Sequence, residues 1–206
     1  SKGITGDGGV KINGDVSFTD EAKEFKGSTV IDGGSLSLDI QDAIKDSSGV
    51  EFNGGDLIAS TDQTLKNVSG SDPNSNLDVK KDITVTIEQG VLKASLSGEG
   101  NLNKSGNSKL TLKNGANNSI GEISVKEGTF ELEDDTSLDG DVTVNPGSRF
   151  LGGNGEINGD VTNNGTFSPG NSVGEITVRD YKGDGELRFE FVSGVNNTIA
   201  ASDTIV

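Results

Sequence analysis

The sequence predicts an all-β chain wound as a right-handed parallel β-helix, a solenoid of about ten coils near 19 residues each. Three observations predict it. Short segments alternate apolar and polar residues with period two, separated by GN, NG, DG, GG and PG pairs that supply turns. Gly-x-Leu or Gly-x-Phe units at 90–92, 128–130 and 165–167, with a variant at 147–150, are separated by steps of 38, 19 and 18 residues. Lys109 and Leu110 fall at the middle of the longest step, and GDV at 140–142 recurs at 159–161. Only 30% of the chain is apolar and 4% aromatic, against 31 glycines, which suits a thin core along a long axis better than one thick globule. A hairpin sandwich would place strands every 8–12 residues without a fixed register.

In chain order, LDIQDAIKD (38–46) is the one stretch whose pattern allows a turn or two of helix. The polar run 60–82 follows, and Gly70 to Asn76 within it reads as a loop leaving the rod, where solenoids carry specificity. The alternating segments TVTI (84–87), KLTLK (109–113), EISV (122–125), TFEL (129–132), DVTV (141–144), EITV (175–178) and LRFEF (187–191) read as strands with one buried face. At least five of the eight Phe fall on that face. Asn163, Asn164 and Asn171 are expected at corners, where stacked amides form ladders. The whole span 1–206 reads as one β-helical unit, and Ser1–Ile4 as the start of a cut fragment or a mature segment.

Composition removes several chemistries. Without Cys there is no disulfide and no thiolate, and without His there is no Ser-His-Asp triad and no zinc-protease motif. Thirty-three carboxylates against 17 Lys and Arg, a net charge of −16, oppose binding to nucleic acid or to anionic lipid. The charge keeps a repetitive β protein soluble and discourages edge pairing. No apolar run reaches the roughly 18 residues of a membrane span.

Residues 151–181, LGGNGEINGDVTNNGTFSPGNSVGEITVRDY, resemble the C-terminal coils of autotransporter passengers of Gram-negative bacteria. The matching positions are Gly155, Ile157, Gly159, Val161, Asn163, Gly165, Phe167, Pro169, Gly170, Asn171, Ser172, Val173, Gly174, Ile176 and Val178. GELRFEF (185–191) and SDTIV (202–206) resemble the segment that follows. Residues 4–38 and 96–132 resemble the passenger-associated transport repeat, closed by Gly34 and Gly128. The first copy departs in its acidic DEAKEF stretch (20–25), and residues 39–90 match least.

The resemblance implies a passenger displayed on or released from the cell surface, carried across the outer membrane by its own C-terminal β-barrel. It implies that coils around 150–206 fold first and draw the rest out, which suits a solenoid that grows from one end. A chain without Cys also suits passage in an unfolded state.

Two places invite sharper chemistry. Glu131, Glu133, Asp134 and Asp135 form a carboxylate group of the kind β-helical lyases and glycosidases use, but they read as outward positions of a solvated face. Asp72-Pro-Asn74-Ser-Asn76 is similar to a calcium loop, yet Leu77 stands where Gly is required and Ile83 where Glu is required. The expectation is a non-enzymatic adhesin or cell-interaction module without cofactor or metal. Its partner is a protein or cell-surface ligand, or a second passenger. The alternative is a secreted β-helical polysaccharide lyase or glycosidase.

Overall fold

A computed structural model describes residues 3–113, 117–170, 175–193, 199–202 and 204–205. The chain forms a β-solenoid whose main sheet stacks ten parallel strands, which mark about nine turns. These strands are Val10–Ile12, Thr29–Ile31, Val50–Phe52, Val68–Gly70, Gly90–Leu92, Lys109–Leu112, Thr129–Leu132, Arg149–Leu151, Thr166–Ser168 and Glu186–Leu187. The register advances by 17 residues from Phe150 to Phe167 and by 22 from Val68 to Gly90. Circuits of unequal length still stack because surplus residues are taken up at corners, outside the paired segments.

The cross-section changes along the stack. In the first half a second side is built by Val16–Phe18, Ser35–Leu38, Asp56–Ala59, Asn76–Val79 and Ser95–Ser97. The third side comprises Gln63–Leu65, Thr84–Ile87, Asn101–Lys104, Asn117–Val125, Ser137–Val144, Gly155–Asn163, Glu175–Lys182 and Thr204–Ile205. From Asn117 onward its strands run eight or nine residues, apart from the short last strand, with register shifts at Ser119/Glu122 and Ile157/Asp160. One long bent strand thus replaces two short sides. Asn118 joins the two regimes: its Oδ1 accepts from Leu96 N at 2.9 Å and its Nδ2 donates to Ser137 O at 3.0 Å.

Glycines make the bend. A Cβ on Gly140 would lie 2.2 Å from Ile120 O, and one on Gly159 2.0 Å from Gly140 O. Any side chain there would push adjacent circuits apart, which explains why GDV recurs.

The core is a set of inward columns. Leu36, Leu57, Leu77 and Leu96 stack on one side; Val85, Leu102, Ile123, Val142 and Val161 on another. Leu110, Phe130, Phe150 and Phe167 follow one another in the main sheet, and Leu187, next in register, is exposed. Among the described residues six Phe are buried: Phe18, Phe25, Phe52, Phe130, Phe150 and Phe167.

Several expectations are corrected. Among the described residues there is no helix; 41–46 are consecutive turns, with Asp42 at φ 51°. Ala43 and Ile44 are buried, and Asp42 N donates to Asp62 O at 3.0 Å while Lys23 N donates to Ala43 O at 2.7 Å. The stretch therefore serves as an irregular rung, bonded to the circuits on both sides, with one local turn in which Lys45 N donates to Asp42 O at 3.2 Å. The segment 70–76 does not leave the rod. Gly70 pairs with Phe52 and Asn76 with Ser95, leaving a short corner in which Asp72 Oδ1 accepts from Asn74 N at 2.8 Å. LRFEF is interrupted: the parallel strand ends at Leu187, and Phe191–Ser193 pairs antiparallel with Ile199–Ser202. Gly90-Val-Leu92 is out of phase with Gly128-Thr-Phe130. Leu92 lies beside Leu112, which lies beside Leu132, whereas Phe130 follows Leu110 and Gly90.

Candidate functional site

The carboxylate group sits on the outer face of the main sheet, where strand alternation leads one to expect solvated side chains. Thr111, Glu131, Leu151 and Ser168 share one outward column, yet all four are buried. Glu131 is only 2% exposed. Thr111 Oγ1 donates to its Oε2 at 2.8 Å and Lys109 Nζ lies 2.7 Å from the same oxygen. A neutralising cation and a hydroxyl donor offset the cost of taking the carboxylate out of water. The expected solvated position is thus corrected for Glu131.

Its neighbours are engaged too. Glu133 pairs with Lys113 at 2.5 Å, and that hydrogen bond raises the lysine's pKa above its ordinary value. Asp134 Oδ1 accepts from Asn154 N at 2.8 Å, and Asp135 turns the corner at φ 59°. Glu131, Leu132, Glu133, Asp134 and Gly153 line a groove of about 250 Å³. Each of the three carboxylates lining it is tied to a cation or to the backbone of an adjacent circuit, an arrangement that braces a corner. Arg149, in the neighbouring strand, donates from Nη2 to Ser168 Oγ at 3.3 Å, while its buried Nε has no hydrogen-bond partner. A second, polar groove of about 280 Å³ is lined by Gln41, Asp42, Asp62, Gln63, Thr64, Thr84, Thr86 and Asn103. Among the described residues no group of three or more carboxylates is placed to hold a metal ion.

Carboxylates and amides recur as caps between circuits. Asp15 Oδ1 accepts from Ser35 N at 3.0 Å, Asp56 from Asn76 N at 2.9 Å, Asp62 from Thr84 N at 2.8 Å and Asp141 from Asp160 N at 2.8 Å. Asn154 Oδ1 accepts from Glu175 N at 3.0 Å. Four of these acceptors satisfy an amide at the start of a strand, where the ladder has not yet begun, as an N-cap does for a helix, and Asp141 satisfies one at the register shift inside Gly155–Asn163. Part of the acidity is therefore corner chemistry, a role that single-strand patterning does not reveal.

The corner residues singled out in the sequence take different roles. Gly34 and Gly128 have φ of 70° and 68°, and a Cβ on either would lie 2.4 Å from backbone atoms of Gly14 or Gly106. Gly155 and Gly165 each come as close to the preceding circuit, with 2.4 Å from a virtual Cβ to Thr136 O and to Asn145 O. Gly159 belongs to the bend. Phe167 is fully buried, and Pro169 and Gly170 are buried beside it. Asn171, Ser172 and Gly174 lie outside the described residues.

Asn163 closes a strand but points inward, in the column of Val125 and Val144. Its Nδ2 donates to Tyr181 Oη at 2.8 Å and to Glu186 O at 3.1 Å, and its Oδ1 accepts from Gly165 N at 3.1 Å. Burial raises the Tyr181 phenol above its ordinary pKa, and the Asn163 hydrogen bond opposes that rise.

Lys104 escaped the sequence reading. It occupies an inward position between Ile87 and Val125 and is fully buried. Its ammonium donates to Ser105 O, to Gly106 O at 2.7 Å and to Glu127 O at 3.1 Å. The signal was present as NLNK, where alternation puts Lys104 in phase with the buried Leu102.

No protein-family model matches the chain, and comparisons with curated proteins and with solved structures found no match.

Proposed function

We propose that the chain is part of the passenger of a Gram-negative autotransporter, a non-catalytic β-helical scaffold at the cell surface or released from it. The observation that carries this reading is the coincidence of motif and core at the C-terminal end. Ile157, Val161, Phe167 and Ile176, four apolar positions of the 155–178 motif, are all 0% exposed and span two adjacent circuits, and Val178 packs partly buried against the same core. A motif whose apolar positions fill stacked circuits is what a segment that folds first and templates its neighbours requires. The partner is a protein or cell-surface ligand, or a second passenger, met along the side of the rod. The carboxylates of the Glu131 groove are committed to Lys109, Lys113, Thr111 and Asn154, which supports a scaffold over a lyase or glycosidase.

The reading is tested in the full-length protein expressed in a Gram-negative host. Removal of residues 150–206 is expected to cut the amount of folded, protease-resistant passenger outside the cell while the membrane-inserted barrel stays constant. Undiminished export would overturn the role of these coils. Release of unsaturated sugars from polyuronate by the purified chain would replace the scaffold with the lyase.

A further inference from the structure

The geometry points to Asn13 as a site of spontaneous covalent modification, deamidation to aspartate and isoaspartate, selected by the fold from several sequence-equivalent sites. In the reaction the amide nitrogen of the following residue, having lost its proton to hydroxide, attacks the asparagine side-chain carbonyl carbon. The C–NH2 bond breaks, ammonia leaves and a five-membered cyclic imide forms. Water then opens the imide at either carbonyl, giving aspartate or its isomer with the main chain routed through the β-carbon. No other reactant is needed. The reaction favours glycine as the following residue, because a Cβ crowds the attacking nitrogen. It also needs room for the backbone to turn and a nitrogen not held elsewhere.

The described residues contain five Asn-Gly pairs, and the structure ranks them. Asn13 and Gly14 are both exposed, in the corner between Val10–Ile12 and Val16–Phe18. A Cβ built on Gly14 meets nothing within 4 Å, although Gly34 of the next circuit comes close to the Gly14 backbone. The other four are restrained. Gly54 N donates to Ser75 Oγ at 3.1 Å, and Gly165 N donates to Asn163 Oδ1 at 3.1 Å, so both attacking nitrogens are occupied. Asn154 and Asn158 precede glycines that lie within the paired strand Gly155–Asn163. There Asn154 Oδ1 is held by Glu175 N, and Asn158 Nδ2 donates to Asp139 Oδ1 at 2.7 Å. The glycines themselves are pressed against the circuit before, with virtual Cβ distances of 2.4 Å for Gly155 and 2.0 Å for Gly159. A restrained backbone cannot swing the amide nitrogen onto the side chain. The sixth pair, Asn114-Gly115, lies outside the described residues.

Conversion changes the first corner of the rod. It places a new carboxylate two residues from Asp15, whose Oδ1 holds both the amide and the hydroxyl of Ser35 at 3.0 Å. The isoaspartyl form also lengthens the main chain by one carbon at that corner.

The test is peptide mapping by mass spectrometry of the full chain after incubation in warm, mildly alkaline buffer, native and in urea. In the native chain Asn13 is expected to convert first among the five, as a mixture that an isoaspartyl methyltransferase labels in part. In urea the five are expected to converge on similar rates. Gly14→Ala, which meets open space and needs no positive φ, is expected to leave the fold intact and slow conversion at Asn13 roughly tenfold or more. Earlier native conversion at Asn53, Asn154, Asn158 or Asn164, or a rate at Asn13 unchanged by Gly14→Ala, would overturn the assignment.

Discussion

Phe150 and Phe167 lie one circuit apart with ring centroids separated by 4.8 Å and planes 3° from parallel. Phe130 extends the stack below at 5.7 Å, and Tyr181 closes it edge-on at 5.7 Å from Phe167. Such stacking adds about 0.5–1.5 kcal/mol per pair to the burial of the rings. Phe167→Ala should therefore cost about 3–5 kcal/mol, with Phe167→Leu losing less. Denaturant unfolding of the two variants, with amide exchange read for the C-terminal circuits, checks the size and the place of the loss.

The Asp56 carboxylate holds the amide of Asn76 one circuit on. Replacing it by Ala leaves that strand-starting N–H without its acceptor and should cost about 0.5–2 kcal/mol, by analogy with a lost helix cap. Asp56→Asn keeps an acceptor oxygen and should retain most of the stability. Thermal unfolding of both variants, side by side, separates a cap from a generic surface charge.

Acid stability should depend on Arg179. Its Nε donates to Asp160 Oδ1 at 2.7 Å, and that hydrogen bond, against the opposing effect of burial and helped by the charges of Arg179 and Lys182, lowers the Asp160 pKa. A carboxylate depressed in the folded state contributes stability that is present above its unfolded pKa and lost as pH falls through the folded one. Glu186 behaves alike through Arg188. In Arg179→Gln the acid limb of the stability profile should move up toward the ordinary carboxylate range, as read from urea midpoints across acidic pH.

Lys104 should shape the alkaline limb, with the same sign. Burial lowers its pKa, while the charges of Glu127 and Glu88 raise it in part. Between the depressed folded value and the ordinary lysine value the unfolded chain holds more protons, so stability should rise with pH across that window. Lys104→Met should abolish this rise. Urea midpoints from neutral to alkaline pH measure it.

The solenoid was legible because its information is local and repeated. Period-two alternation located TVTI, KLTLK, TFEL and DVTV, and recurring Gly-x-Phe units set the spacing. What stayed hidden depends on contacts between circuits some 20 residues apart. Nothing local shows that Asp42 and Ala43 bond to neighbouring circuits, so LDIQDAIKD reads as weakly helical. The burial of Glu131 needs Thr111 and Lys109 from the previous turn. Lys104 kept the inward phase, but its carbonyl partners lie at a corner that alternation does not describe. Asn163 looked like a corner amide, and its inward role exists only because Tyr181 and Glu186 arrive one circuit later.

The central claim is a rod that stands outside the cell. The chain contains no Cys, so a single introduced thiol reports its own surroundings. Lys126→Cys, at an exposed position, should be made in the full-length protein in a Gram-negative host and treated with a membrane-impermeant maleimide. Labelling is expected on intact cells or on protein released to the medium, equal to that after lysis. Labelling that appears only once the cells are broken would contradict it.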